Sequence, residues 1–179
     1  MLTTRPPSAA PLAPPVLADI VGGLAAARDL WCGLVCHDPG GRRPVRLLAT
    51  GVYEVWVIGW TTGQQVHVHD HGGSAGALLV TEGELVEVLP RRGGAAVERT
   101  LAAGRLRHLG VGTVHDVVNR SVAPATSLHV YSPPLTTMTY YDPDTLAPTT
   151  TVPVEPERPV LGPSAGAYAL HPAHRREAP

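Results

Sequence analysis

The stretch Gly63-Gln-Gln-Val-His67-Val-His69-Asp-His71-Gly-Gly-Ser-Ala-Gly76 carries three histidines, each separated from the next by one residue. In an extended strand, residues two apart point to the same face and lie about 6.6–6.8 Å apart at Cα. Two adjacent histidines of this row can therefore reach one metal ion, while a third ligand must come from elsewhere. The stretch predicts a strand at residues 65–71 that carries a candidate metal site.

Short β-strands are predicted on both sides of this row. Residues 53–60 are a run of β-branched and aromatic side chains. Before them, apolar residues at three- and four-residue steps predict a helix from residue 16 to about residue 34. Further strands are predicted at 77–81, 84–89, 97–101, 105–109, 113–118, 126–131 and 136–141. One leading helix and many short strands predict a mainly β fold, a β-sandwich or jelly-roll barrel.

The two ends of the chain lack this periodicity. Residues 1–15 are rich in Pro and Ala and are predicted to be disordered, and residues 151–179 are predicted to form a Pro-rich, flexible tail. One domain, at 16–150, lies between them. The formal net charge of −1 favours neither nucleic acid nor an anionic membrane surface as a partner. Without a signal peptide or a membrane-spanning run in the sequence, we expect a cytoplasmic monomer or small homo-oligomer.

Two segments share the spacing of the paired motifs of the cupin superfamily. The first motif is a Gly, five residues, His-x-His, three or four residues, Glu, six residues and Gly, and its places are held here by Gly63, His69, His71, Gly76 and Gly83. The second is a Gly, five residues, Pro-x-Gly, two residues, His, three residues and Asn, and its places are held by Gly104, Gly110, Gly112, His115 and Asn119. The chain therefore resembles a cupin, and the resemblance selects His69, His71 and His115 as metal ligands and leaves His67 out.

Gly76 stands where the first motif has its Glu, so the metal would meet three neutral imidazoles and no carboxylate. From the residues alone the metal stays open, because neutral His binds zinc, iron, copper and nickel, and three His with water is also a catalytic zinc geometry. The cupin family known for a three-His site is the thiol dioxygenases. Residues 69–76 resemble the His-Asp-His signature of its bacterial cysteine dioxygenases, which implies Fe(II) as the cofactor.

The segment Ser127-Leu-His129-Val-Tyr131-Ser-Pro-Pro134 resembles a second signature of these enzymes. Residues 127, 129 and 131 of a strand share one face, which could also be the wet face of an edge strand. In the thiol dioxygenases the matching residues form a hydrogen-bonded relay beside the metal. The resemblance implies that Tyr131 is the catalytic donor, that His129 and Ser127 orient it, and that the bond between Ser132 and Pro133 is cis.

Arg46 is the substrate clamp that the resemblance implies. Cysteine dioxygenases place an Arg at this point, and its planar fork matches the substrate carboxylate. Tyr131 could donate a further hydrogen bond to the same carboxylate. Arg42 and Arg43 nearby leave the register open, and Pro44 stands where the family often has Tyr. Since 3-mercaptopropionate dioxygenases often carry Gln instead of Arg, Arg46 favours an amino-acid substrate.

The resemblance covers about residues 30–142 and implies a cupin jelly-roll barrel with a short N-terminal helical segment. It implies a non-haem Fe(II) dioxygenase whose partners are a small thiol and O2, and which converts L-cysteine to cysteine sulfinate. One alternative is a dioxygenase for 3-mercaptopropionate or another small thiol, and a second is a non-catalytic metal-binding cupin. A zinc-dependent isomerase or hydrolase is disfavoured, because such cupins usually keep the Glu that Gly76 replaces.

Overall fold

The computed structural model describes residues 10–155 and 158–161. It begins with helix α1 (Pro14–Ala26) and two short 3₁₀ helices, Arg28–Leu30 and Cys32–Leu34. Ten strands follow: β1 (Val45–Ala49), β2 (Glu54–Trp60), β3 (Ala75–Glu82), β4 (Glu84–Arg91), β5 (Gly94–Ala102), β6 (Leu106–Leu109), β7 (Asp116–Val118), β8 (Ala125–Ser132), β9 (Thr137–Tyr141) and β10 (Pro148–Pro153). The predicted mainly β fold with a short N-terminal helical segment is confirmed. None of the described helices has the length and hydropathy of a membrane-crossing helix.

The strands form three antiparallel sheets. The largest has the order β1-β2-β8-β3-β6, the second has the order β5-β4-β7, and β9 pairs with β10. Apolar side chains between the first two sheets form one buried cluster: Ile58, Trp60, Leu78, Val80, Leu85, Leu101, Val117 and Ala125. The two sheets thus close around an interior, as a jelly-roll barrel requires.

Strand β8 lies at the centre of the large sheet, and the residues on both of its faces are buried. Leu128 and Val130 pack with Leu17 and Val21 of α1 on the outer face of the sheet. Burying each such side chain contributes roughly 1.5–3 kcal/mol. Because side chains alternate along a strand, the residues between them face the barrel interior. The polar row Ser127, His129 and Tyr131 therefore belongs to a central strand and not to the wet face of an edge strand.

The predicted helix at 16–34 is shorter than expected. Helix α1 begins at Pro14, where a proline fits the first turn, and it ends at Ala26 because Ala27 leaves the helical conformation with ψ 52°. The chain then turns so that Trp31 is buried and donates its ring N–H to the carbonyl of Leu24 at 2.8 Å.

The predicted strand at 65–71 does not form as a regular strand, because His67 adopts a left-handed φ of 72°. Only isolated bridges remain there, such as the one between His69 and His115. At the C-terminal side, β10 crosses the predicted tail boundary at 150/151, since residues 149–152 are β-branched. Most residues of the two predicted tails lie outside the described residues, so the division into one domain and two tails stays a prediction.

Candidate metal centre

Three histidines from two segments meet inside the barrel. His69 and His71 lie between β2 and β3, and His115 directly precedes β7. The backbones of His69 and His115 exchange two hydrogen bonds, of 2.9 and 3.0 Å, which brings their side chains next to each other. One ring nitrogen of each histidine lies within 4.8 Å of the others. The structure therefore brings together the three ligands predicted from the motif spacing, and we call them the His cluster.

The nitrogens of the His cluster suit a metal ion. Burial, together with the charge of His115, lowers the pKa of His69 to about 3, and burial lowers the pKa of His71 well below its ordinary value. Both rings are therefore neutral at physiological pH, and their Nε2 atoms lie 3.2 Å apart. The buried Nε2 of His115 meets no hydrogen-bond partner within the described part of the chain. A cation between these nitrogens would satisfy all three lone pairs.

His67 supports the cluster through its backbone. The carbonyl of His67 accepts a hydrogen bond of 2.7 Å from Nδ1 of His69, so the proton of His69 sits on Nδ1 and Nε2 keeps its lone pair. The left-handed φ of His67 lies at the backbone turn that brings its carbonyl oxygen to the ring of His69. Its imidazole points elsewhere, to the side chain of Gln65 at 3.0 Å.

Gly76 has a spatial reason to replace the Glu of the cupin motif. A Cβ atom at this position would lie 2.8 Å from the carbonyl oxygen of Val130 and 2.9 Å from Cδ1 of Tyr131. Real Cβ contacts are essentially never this short. The ring of Tyr131 therefore occupies the space that a metal-binding carboxylate side chain would need.

A chain of hydrogen bonds runs along the inner face of β8. Ser127 Oγ lies 2.8 Å from Nε2 of His129, and Nδ1 of His129 lies 3.1 Å from the hydroxyl of Tyr131. Trp60, which the sequence interpretation did not include, donates its ring N–H to Ser127 Oγ at 2.8 Å. The signal for Trp60 was its place in a predicted strand of β-branched and aromatic residues. We call these four residues the β8 relay.

The indole N–H of Trp60, at one end of the β8 relay, sets the direction in which its hydrogen bonds are donated. Ser127 Oγ accepts the indole N–H, and because Ser127 is buried and its Oγ has Nε2 of His129 as its only other partner among the described residues, its own proton goes to that nitrogen. The remaining proton of His129 is then on Nδ1 and goes to the oxygen of Tyr131, which leaves the Tyr131 proton available to the cavity. Burial raises the pKa of Tyr131, and Glu54 adds to the effect, so the phenol stays protonated. The predicted cis bond between Ser132 and Pro133 follows this row and is confirmed.

The neutral state of His129 makes a testable contribution to pH-dependent stability. Burial, with charges from His115 and Arg42, lowers its pKa to about 3 from 6.5. An unfolded histidine takes up a proton below about pH 6.5, so the unfolded state binds more protons between these values and the free energy of unfolding falls as the pH falls. Between pH 6.5 and 4.5 we expect the free energy of unfolding of His129→Gln to fall by about 2–3 kcal/mol less than that of the parent protein. Urea unfolding of the metal-free proteins at both pH values measures this, and equal losses would contradict it.

The His cluster and Tyr131 open onto a cavity of about 180 Å³. Most of its wall is apolar: Pro44, Trp56, Ile58, Val66, Val117, Leu135, Met138 and Val154. The polar side chains of the wall are Arg42, His69, His71, His115, His129, Tyr131 and Tyr140. Val154 directly follows β10, so the C-terminal segment that was predicted to be a loose tail contributes to the cavity.

The structure places a different arginine at the cavity from the one that the sequence predicts. Arg42 lines the wall, and its guanidinium lies 5.1 Å from the ring centre of Trp60. Arg46 does not line the cavity, because Glu54 holds its guanidinium at 2.6 Å. Both partners of this ion pair are largely buried. Arg42 lies in a loop without periodic pattern, so only its closeness in sequence to Arg46 could have indicated it.

Glu87 is a further residue that the sequence interpretation missed. It is fully buried on β4, and its Oε1 lies 3.1 Å from Nδ1 of His115. Burial by itself raises the pKa of Glu87, but hydrogen bonds from His115 and Arg107 outweigh it and hold that pKa below its ordinary value. The signal was present in the sequence, since Glu87 shares the inner face of the predicted strand at 84–89 with Leu85 and Leu89.

Comparison with known proteins agrees with this geometry. A family model described as cysteine dioxygenase type I matches residues 18–144, more than half of the chain. The chain belongs to this family. It is therefore a cupin metalloprotein of a dioxygenase family, and the predicted family and cupin fold are confirmed.

The chain is also similar to solved structures of other proteins. TT1209 from Thermus thermophilus is 26% identical, with a TM-score of 0.51 over 57% of this chain and 93% of that one. A conserved protein with a double-stranded beta-helix domain from Klebsiella pneumoniae is 24% identical, with a TM-score of 0.49 over 57% of this chain and 85% of that one.

Proposed function

We propose that this protein is an Fe(II)-dependent thiol dioxygenase that converts L-cysteine and O2 to cysteine sulfinate. The observation that carries the proposal is the convergence of the His cluster, Tyr131 and Arg42 on one small, mostly apolar cavity. In this reaction both oxygen atoms end on sulfur. The four electrons that O2 accepts therefore all come from the thiol sulfur, and no other reductant is required.

The His cluster would hold the iron through the ring nitrogens that face one another. A bound iron would supply the redox centre for O2 and would lower the pKa of a ligated thiol. Within the described residues the site supplies three neutral donors and no carboxylate ligand, so the ligands themselves do not compensate the positive charge of the metal. Such a site favours an anionic, chelating substrate such as a thiolate with a neighbouring amine.

Arg42 would bind the substrate carboxylate. A carboxylate in an apolar cavity is costly unless a positive group pairs with it, and a guanidinium offers two parallel N–H donors. Contact with the Trp60 ring fixes the position of Arg42 without consuming its hydrogen bonds. Arg46 is poorly suited to this role, because its guanidinium is already paired with Glu54.

The size of the cavity favours a small thiol. Its volume of about 180 Å³ is slightly larger than the ~150 Å³ cavity that accepts a benzene molecule. L-cysteine has one heavy atom more than benzene and matches this space, whereas a tripeptide thiol such as glutathione exceeds it. 3-Mercaptopropionate also fits, and the recognition of the amine distinguishes the two substrates.

Tyr131 would donate its proton to the bound substrate or O2, because the β8 relay leaves that proton facing the cavity. Removing one positioned donor of this kind costs about 10²–10³ in kcat. We therefore expect Tyr131→Phe to lower kcat for L-cysteine at least about 100-fold while iron content stays unchanged. Tyr53→Phe, on the helix side of the sheet, is the matched control. Normal turnover by Tyr131→Phe at full iron content would show that another group donates the proton.

Oxygen consumption with a panel of thiols tests the proposed function. The iron-loaded protein should consume O2 with L-cysteine faster than with 3-mercaptopropionate, cysteamine or glutathione. Faster consumption with 3-mercaptopropionate would show that the protein recognises the carboxylate and not the amine. The substrate would then be 3-mercaptopropionate instead of L-cysteine. Absence of consumption with every thiol at full iron content would leave a non-catalytic metal-binding cupin.

A further inference from the structure

Glu87 is a buried charge that needs an explanation. Its side chain is fully buried in the barrel interior, on the same face of β4 as Leu85, a member of the apolar cluster between the sheets. Burying a carboxylate costs several kcal/mol, and a well-packed apolar residue is often as stable as a buried ion pair. Stability alone therefore does not account for a glutamate at this position.

The two oxygens of Glu87 have separate partners. Oε2 accepts a hydrogen bond of 2.7 Å from Nε of Arg107 on β6 and lies 3.6 Å from Nη1 of Arg99 on β5. Oε1 faces Nδ1 of His115 at 3.1 Å. The two guanidinium groups keep the carboxylate ionised, and one of its oxygens is left for the histidine.

This contact determines the state of His115. An ionised carboxylate only accepts hydrogen bonds, so the proton of His115 must sit on Nδ1. The lone pair is then on Nε2, the atom that is buried in the His cluster without a hydrogen-bond partner among the described residues. His69 differs, because its Nδ1 donates to the neutral carbonyl of His67. His115 is thus made a stronger electron donor than His69.

We propose that Glu87 is a positioning residue that orients His115 and raises its basicity towards the metal, while Arg107 limits the negative charge that His115 receives. This proposal rests on the metal centre of the proposed function. Gly76 supplies no carboxylate ligand, and the carboxylate of Glu87 instead acts on the metal indirectly, through its hydrogen bond with His115. Outer carboxylates of this kind typically change metal affinity about 10- to 100-fold.

The test compares three variants for metal affinity and for the reduction potential of the iron-loaded protein. Glu87→Gln keeps the size of the side chain and removes its charge, Arg107→Gln removes the opposing charge, and Glu98→Gln breaks an exposed ion pair with Arg120 as the matched control. Affinities for Fe(II), under anaerobic conditions, and for Zn(II) are measured by competition with a chromogenic chelator. Neither readout requires turnover.

Glu87→Gln should weaken both metals about 10- to 100-fold and raise the iron potential. Arg107→Gln should lower that potential, and Glu98→Gln should leave both quantities unchanged. A purely structural role would move the Glu87 and Arg107 variants in the same direction, and this result would overturn the proposal. Parent-like affinity and potential in Glu87→Gln would also overturn it.

The two metals separate this proposal from the proposed function. If the parent binds Zn(II) but not Fe(II), the proposed iron dioxygenase is wrong, and the Zn(II) affinities still decide the role of Glu87. If Glu87→Gln does not fold, Arg107→Gln decides the role of Glu87, because this variant should bind the metals more tightly than the parent protein. A parent protein that binds neither metal would overturn both proposals.

Discussion

Replacing any one of His69, His71 and His115 by alanine is expected to reduce the bound iron to the level of a metal-free control. The reason is geometric, because each of the three supplies one of the nitrogens that lie within 4.8 Å of one another. Two imidazoles without a carboxylate leave the metal without the third donor that protein sites normally provide. Metal analysis after reconstitution with Fe(II) and desalting measures the loss.

His67 offers the matched control for this experiment. Glycine at position 67 keeps the carbonyl that accepts the hydrogen bond from His69 and tolerates the left-handed φ. His67→Gly should therefore retain the iron of the parent protein, although it removes one histidine of the same row. Full iron occupancy in His115→Ala would mean that the ligands are assigned wrongly. The same would follow if His67→Gly lost its iron while the three His→Ala variants kept theirs.

Arg42→Ala is expected to lower kcat/KM for L-cysteine by roughly 10- to 150-fold. This range follows from the roughly 1.5–3 kcal/mol that a hydrogen bond to a charged group contributes, at about 1.4 kcal/mol per tenfold change. The iron content should not change, because Arg42 is not part of the His cluster. Cysteamine lacks the carboxylate, so its low turnover should change little. Steady-state oxygen consumption with both thiols provides the comparison.

Arg46→Ala should produce a different defect. It leaves the carboxylate of Glu54 buried without its ion-pair partner, which typically destabilises a protein by about 3–5 kcal/mol. The double variant Arg46→Met with Glu54→Leu removes both charges and should recover much of this stability. If Arg46→Ala folds normally and loses activity on cysteine selectively, while Arg42→Ala is unaffected, then Arg46 is the clamp after all.

The ligands of the His cluster could be predicted because their spacing matches the paired cupin motifs, although the regular strand expected at residues 65–71 does not form. The first motif places His69 and His71 two residues apart, and the second places His115 at a fixed distance from Gly110 and Gly112. The row on β8 could be predicted from geometry, because the alternation of a strand places Ser127, His129 and Tyr131 on one face whatever the neighbouring strands are.

The side chains that complete the cavity could not be predicted in this way. Whether Arg42 or Arg46 reaches the substrate depends on Glu54, which lies on the neighbouring strand and pairs with Arg46. The partner of Glu87 is 28 residues away along the chain. Contacts of this kind follow from the pairing and packing of the sheets, which neither composition nor periodicity determines.

The proposed function requires that both atoms of O2 are transferred to the sulfur of a small thiol at the His cluster. It is tested most directly by supplying ¹⁸O2 and L-cysteine to the iron-loaded protein and determining the mass of the product. We expect cysteine sulfinate that carries two ¹⁸O atoms, and no such product from His115→Ala. Cystine as the sole product, or a sulfinate that carries oxygen from water, would contradict it.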